Sequence, residues 1–127
     1  MSKSKLIEQL KRKRFLSIGR AGMDLYAEPP GTEFEQANNF SAHVGGSAAN
    51  IAVALAKLGS EVELVTCFSD DAVGRFTAKK LQEFGVGTSH CRIVGGEARN
   101  TLAVIETRLK DCQSVIYRNG AADFEMN

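Results

Sequence analysis

The segment Val44-Gly45-Gly46-Ser47-Ala48-Ala49-Asn50 holds the residue types best suited to chemistry in this 127-residue chain. Two adjacent glycines let a backbone approach a ligand closely, and the N–H groups of a helical turn that follows favour polar or anionic groups. Asn50, one turn into that helix, offers both a donor and an acceptor to hydroxyls. The same residues also suit a tight strand-to-helix turn built for close packing, and on Gly-Gly alone the two roles carry equal weight. Other candidates are weaker. His43 and His90 have no Glu or Cys at metal-ligand spacing, which leaves them core or surface roles. Asp70-Asp71 stands before a helical pattern, where capping explains it better than a metal does. Cys67, Cys91 and Cys112 form no C-x-x-C pair and are expected to be reduced and mostly buried. Neither a Walker A sequence nor a complete dinucleotide fingerprint is present: Gly19-Arg20-Ala21-Gly22 stops short of Gly-x-Gly-x-x-Gly.

The elements that would position these residues follow from periodicity. Phe15–Gly19 is a short apolar run ending in glycine, a buried strand. Met23–Ala27 extends it or starts a second piece until Pro29-Pro30-Gly31 forces a turn, and Phe40–Val44 returns. From Ser47 the pattern predicts a helix with Ile51, Ala52, Leu55 and Leu58 on one face and Gly59 as its stop. Glu61–Phe68 reads as one strand. Ser69 or Asp70 is expected to cap a helix whose Val73, Phe76, Leu81 and Phe84 lie toward one side, ended by Gly85-Val86-Gly87. Alternating strands and helices favour a parallel sheet with helical crossovers, while Thr101–Thr107 and Gln113–Arg118, joined at Leu109-Lys110-Asp111, read as an antiparallel hairpin. The fold class is therefore α/β, with a small antiparallel appendage.

Composition narrows the function classes. With 16 Lys+Arg against 15 Asp+Glu and 24% charged residues, the chain is an ordinary globular domain rather than a disordered one. Six cations (Lys3, Lys5, Lys11, Arg12, Lys13 and Arg14) crowd residues 1–14 against the single anion Glu8, leaving the remainder net acidic. Without interleaved aromatics this arm reads as a solvated amphipathic helix, with Leu6, Ile7 and Leu10 on one side, rather than a nucleic-acid tether. Apolar runs are too short for a membrane span, and the N-terminus lacks a signal peptide's apolar core, so a cytoplasmic location is expected.

The series Gly45-Gly46-Ser47-Ala48-Ala49-Asn50-Ile51-Ala52, Leu58-Gly59 and Asp71-Ala72-Val73-Gly74 resembles the first motif of the ribokinase-like (PfkB-type) carbohydrate kinases. One departure is Ser69, where the family commonly has glycine two residues before the Asp of Asp-x-x-Gly. Ile18-Gly19-Arg20-Ala21-Gly22-Met23-Asp24-Leu25 is similar to the family's opening strand, whose Asp binds a sugar hydroxyl; here that is Asp24, for which binding is favoured over the alternative of capping a loop. The resemblance implies a ribokinase-like Rossmann-type sheet with β-lid strands, with Asp24, Gly45, Gly46, Ser47 and Asn50 against the sugar. A sugar acid calls for a guanidinium, and Arg20, Arg99 and Arg118 all sit on or beside segments that reach the site. Arg118 occupies the place where sugar-acid members resemble one another in carrying an Arg near a lid strand, so Arg99 and Arg118 are the expected carboxylate partners. The family's ATP and Mg2+ site and its catalytic Asp belong to a second motif in the C-terminal half, which this sequence does not contain. The resemblance thus implies residues 1–14 as a basic lead-in and 15–127 as the N-terminal, sugar-binding part of a kinase domain, inactive by itself. It further implies no metal, nucleotide or catalytic residue held by the chain alone, a small-molecule sugar acid as partner, and a homodimer formed through lid strands. A non-catalytic sugar-binding or dimerisation module is the alternative.

Overall fold

The computed structural model describes residues 1–11 and 13–126. A short helix, α1 (Lys3–Leu10), capped by Ser2, precedes β1 (Arg14–Ile18). Past Gly19 the chain continues as β2 (Gly22–Glu28), turns at Pro29-Pro30-Gly31 and returns as β3 (Asn39–Gly45). β3 pairs antiparallel with β2, placing His43 opposite Asp24 and Gly45 opposite Gly22. Helix α2 (Ser47–Lys57) then carries the chain to β4 (Glu61–Val65), which lies parallel to β1. This is the crossover expected of α2, with the β2–β3 pair inserted before it.

The expected strand Glu61–Phe68 is in fact two. After β4, Thr66 interrupts the ladder, and β5 (Cys67–Ser69) pairs parallel with β6 (Arg92–Val94) across helix α3 (Ala72–Glu83). The cap of α3 is neither Ser69 nor Asp70 but the second residue of the Asp70-Asp71 pair: Asp71, whose backbone is still extended (φ −153°) as the helix begins. Its Oδ1 accepts from the N–H groups of Val73 (2.9 Å) and Gly74 (3.0 Å) and from the Ser69 hydroxyl (2.8 Å). Burial pushes the Asp71 carboxyl up, but these hydrogen bonds and nearby Arg99 together hold it below the usual carboxylate range. The Ser69 hydroxyl also accepts from the backbone N–H of Asn100 at 3.0 Å, so the residue that departs from the resembled motif ties two elements together.

The hairpin of β7 (Thr101–Ile105) and β8 (Ser114–Tyr117) forms as expected, antiparallel. β7 also pairs parallel with β2, so the four strands make one sheet in the order β3-β2-β7-β8. The lid is thus two antiparallel pairs joined by a parallel seam rather than a wholly antiparallel appendage.

The buried faces of both helices are narrower than their apolar patterns suggest. α2 buries Ala48, Ala49 and Ala52, while Ile51 is 57% exposed. It approaches the β1–β2 connection so closely that only methyl groups fit: the Ser17 hydroxyl donates to the Ala48 carbonyl at 2.9 Å, and a Cβ at Gly19 would sit 3.1 Å from that of Ala48. α3 buries Gly74, Thr77 and Leu81 and leaves Phe84 at the surface beneath Lys57. Asn100 explains the polar member of that face, because its amide donates to the Thr77 hydroxyl (3.1 Å) and accepts from the Ser69 N–H (3.2 Å). Around these helices Val62, Leu64, Phe68 and Val86 complete the core. The cysteines are free thiols, but only Cys67 is buried; Cys112 lies exposed beyond β7, and burial pushes the half-buried Cys91 thiol up to about 11. No helix of the described residues is long and apolar enough to cross a membrane.

Candidate functional site

A cavity of about 240 Å³ opens where the lid sheet meets the start of α2, lined by Arg20, Asp24, Gly46, Ser47 and Asn50 together with Thr101, Ala103, Ile105, Ser114 and Ile116. Sheet register accounts for the wall. Asp24 pairs with Ala103 and Ala103 with Ile116, so these side chains stand on one face. Gly45 is buried against that wall, and a Cβ there would overlap the Asp24 carboxylate. Gly46 begins α2 at φ +96°, a conformation that favours glycine, and a Cβ on it would run into the Arg20 carbonyl. No side chain caps α2, so its first-turn N–H groups have no acceptor from a capping residue.

Six of the residues singled out in the sequence thus converge: Arg20, Asp24, Gly46, Ser47 and Asn50 line the cavity, and Gly45 supports Asp24 from behind. Burial pushes the Asp24 carboxyl above its ordinary range, and Arg20 and then His43 partly offset that rise. Since its folded pKa lies above the unfolded one, ionised Asp24 costs the fold stability, and that cost grows as pH rises through the folded pKa. A ligand hydroxyl donating to the carboxylate would offset part of this cost. What the arrangement can do is grip a polyhydroxylated molecule: an acceptor carboxylate, an amide that both donates and accepts, and a backbone turn open to close approach.

Arg99 and Arg118 are not brought to this cavity. Arg118 donates to Asp123 Oδ2 through Nε (3.1 Å) and Nη2 (2.5 Å) and lies over the Phe124 ring at 4.3 Å. Arg99 gives Nη1 to the carbonyls of Gly96 and Ala98, each at 2.9 Å. It lines a different cavity, of about 450 Å³, with Asp71, Leu102, Tyr117 and Asn119. Leu102 and Tyr117 pair across β7 and β8, one residue out of step with Ala103 and Ile116, so this cavity lies on the opposite face of the hairpin.

Sequence reasoning gave no role to Asp123, whose side chain is 1% exposed and which also accepts from the Thr101 hydroxyl at 3.0 Å. It ties β7 to the turn after β8. An acidic residue after Gly120-Ala121-Ala122 offered no periodic signal, and only the partner Arg118, five positions earlier, hinted at a pair. Thr101, Ser114 and Ile116 were equally hidden, because which face of a strand meets the site depends on register.

A profile of the pfkB family carbohydrate kinases matches residues 12–127. Over 109 residues the chain is 39% identical to 5-dehydro-2-deoxygluconokinase of Photobacterium profundum, covering 86% of this chain and 33% of that protein. Among solved structures, 2-dehydro-3-deoxygluconokinase of Thermotoga maritima superposes with a TM-score of 0.80 at 25% identity, over 91% of this chain and 35% of that one. Fructokinase of Xylella fastidiosa with bound ATP superposes at 0.75 with 32% identity, over 87% and 34%. The chain therefore spans about a third of the length of the relatives it matches.

Proposed function

The chain belongs to the pfkB family of carbohydrate kinases, and from that premise we propose that the whole protein transfers the γ-phosphoryl group of ATP to a hydroxyl of 5-dehydro-2-deoxy-D-gluconate. Residues 15–127 supply the sugar-binding part of the kinase domain, and residues 1–14 are a basic lead-in to it. The supporting observation is the convergence of Asp24, Gly46, Ser47 and Asn50 on one polar cavity at the open start of α2. The substrate is taken from the Photobacterium relative's name, and a part in inositol catabolism and a cytoplasmic location belong to the same proposal.

Phosphoryl transfer also needs charge stabilisation around ATP, with Mg2+, and a base for the acceptor hydroxyl. Among the described residues no cluster of three or more His, Cys, Asp or Glu side chains is placed to hold a metal, and no residue of this chain is assigned to MgATP or to catalysis. Within this reading, Asp24 orients the sugar through its hydroxyls.

Assays of the whole protein with ATP and 5-dehydro-2-deoxy-D-gluconate, 2-dehydro-3-deoxy-D-gluconate, fructose and ribose test the reading. Preference for the first is expected, and its rejection in favour of fructose or ribose overturns the sugar-acid assignment. Asp24→Asn is expected to raise KM about 10- to 100-fold, since a charge-assisted hydrogen bond becomes a neutral one. It is expected to leave thermal stability equal or higher, because it removes a carboxylate that burial disfavours.

We further propose a homodimer through β8, an edge strand whose Val115, Ile116 and Tyr117 are all about half exposed or more. Light scattering is expected to give twice the monomer mass, and Ile116→Lys to give the monomer.

A further inference from the structure

We propose that Arg20 is the specificity-determining residue of the Asp24 cavity, its guanidinium taking the carboxylate of the sugar acid while Asp24 takes hydroxyls; this rests on the sugar-acid reading above.

An acidic ligand brought beside the Asp24 carboxylate is repelled unless a cation lies in the same wall. Of the three arginines that the sequence brings near the site, two have their guanidinium groups engaged elsewhere. Arg118 is held by the buried carboxylate of Asp123 and stacked on Phe124. Arg99 is spent on two backbone carbonyls and faces the cavity on the far side of the hairpin. Arg20 alone of the three lines the Asp24 cavity, where it is the only cationic side chain.

Its surroundings also suit the role. No ion pair or side-chain hydrogen bond engages the Arg20 guanidinium among the described residues, so its planar fork is open to a carboxylate in bidentate fashion. The root of the side chain is fixed: the Arg20 carbonyl accepts from the Ala49 N–H at 3.3 Å and packs beneath Gly46. That anchorage sets Arg20 beside the uncapped start of α2, whose partial positive charge acts in the same direction. Arg20 is close enough to Asp24 to draw its carboxyl down, yet the two form no ion pair, which leaves each free for a different part of one ligand.

Titration calorimetry of the whole protein with 5-dehydro-2-deoxy-D-gluconate and with its carboxamide, identical apart from the charge, tests the assignment. The unaltered protein is expected to bind the acid about 10- to 100-fold tighter than the amide. Arg20→Gln is expected to bring the two affinities within about threefold by weakening the acid alone, and Arg20→Lys to keep part of the preference because it keeps the charge without the fork. Wild-type protein that binds acid and amide equally, or an Arg20→Gln variant that keeps the full preference, overturns the Arg20 assignment. Should Arg20→Gln bind neither compound, Arg20→Lys decides: equal loss for acid and amide overturns the assignment, and a reduced preference for the acid upholds it. Wild-type protein that binds neither compound but binds fructose overturns the sugar-acid reading itself.

Discussion

Gly46→Ala is expected to lower the unfolding free energy by about 3 kcal/mol or more, and Gly31→Ala by only about 1 kcal/mol, in urea denaturation followed by circular dichroism. Both glycines sit at φ +96°, so the conformational cost of a side chain is similar at the two. Their surroundings differ. A Cβ at Gly31 meets nothing within 4 Å, whereas at Gly46 it runs into the carbonyl of Arg20 and comes within 3.1 Å of the Ala21 Cα. Those are backbone atoms, and Ala21 is 1% exposed in the core, so the Gly19–Ala21 segment has no room to yield. Movement of that segment would displace Arg20 and distort the α2 start, so sugar affinity should fall together with stability. Equal losses from the two substitutions would show that the close approach to Arg20 contributes nothing.

Arg118→Met is expected to destabilise by about 3 kcal/mol, because it strands the Asp123 carboxylate beneath the lid without its cation. The side chain of Arg118 is 37% exposed, so water can reach part of the vacated space, which puts the loss at the lower end for a broken buried pair. Asp123→Asn should cost less, about 1 to 2 kcal/mol, since the half-exposed guanidinium can turn to solvent and the amide still accepts from Thr101. A double-mutant cycle isolates the coupling. If Arg118 instead took the sugar's carboxylate, its loss would weaken acid binding while sparing the fold. Unchanged stability together with selective loss of the acid would therefore refute the structural role given to it here.

The site divides sharply into what could be read early and what could not. Gly45, Gly46, Ser47 and Asn50 were legible because a glycine pair, small residues and a polar residue one helical turn on are bound to each other by local geometry, whereas Asp24, far upstream, was implied only by the resemblance of its strand to the family's opening strand. Arg20 was named with them, but the carboxylate role was expected of Arg99 and Arg118. Arg99 and Arg118 stand in the right segments, but strand alternation turns residue 102 away from the face that residue 103 presents, and a shift of one position exchanges the two cavities. The helix faces held at Ala52 and Leu81 and failed elsewhere for a related reason. Ile51 and Phe84 fit an apolar stripe, yet the closeness of α2 to Gly19 and of Gly74 to the Ser69 carbonyl selects alanine, glycine and threonine for burial instead.

By itself, then, the sequence determined the order of elements, the crossover, the hairpin and the glycine-rich start of α2, all properties of short stretches whose periodicity or backbone demands are local. Tertiary structure alone decided the break at Thr66, the parallel seam of β2 with β7 and which of the three arginines lines the Asp24 cavity. Each of these depends on which distant backbone supplies the neighbouring hydrogen bonds and charges, and no window of adjacent residues contains that information.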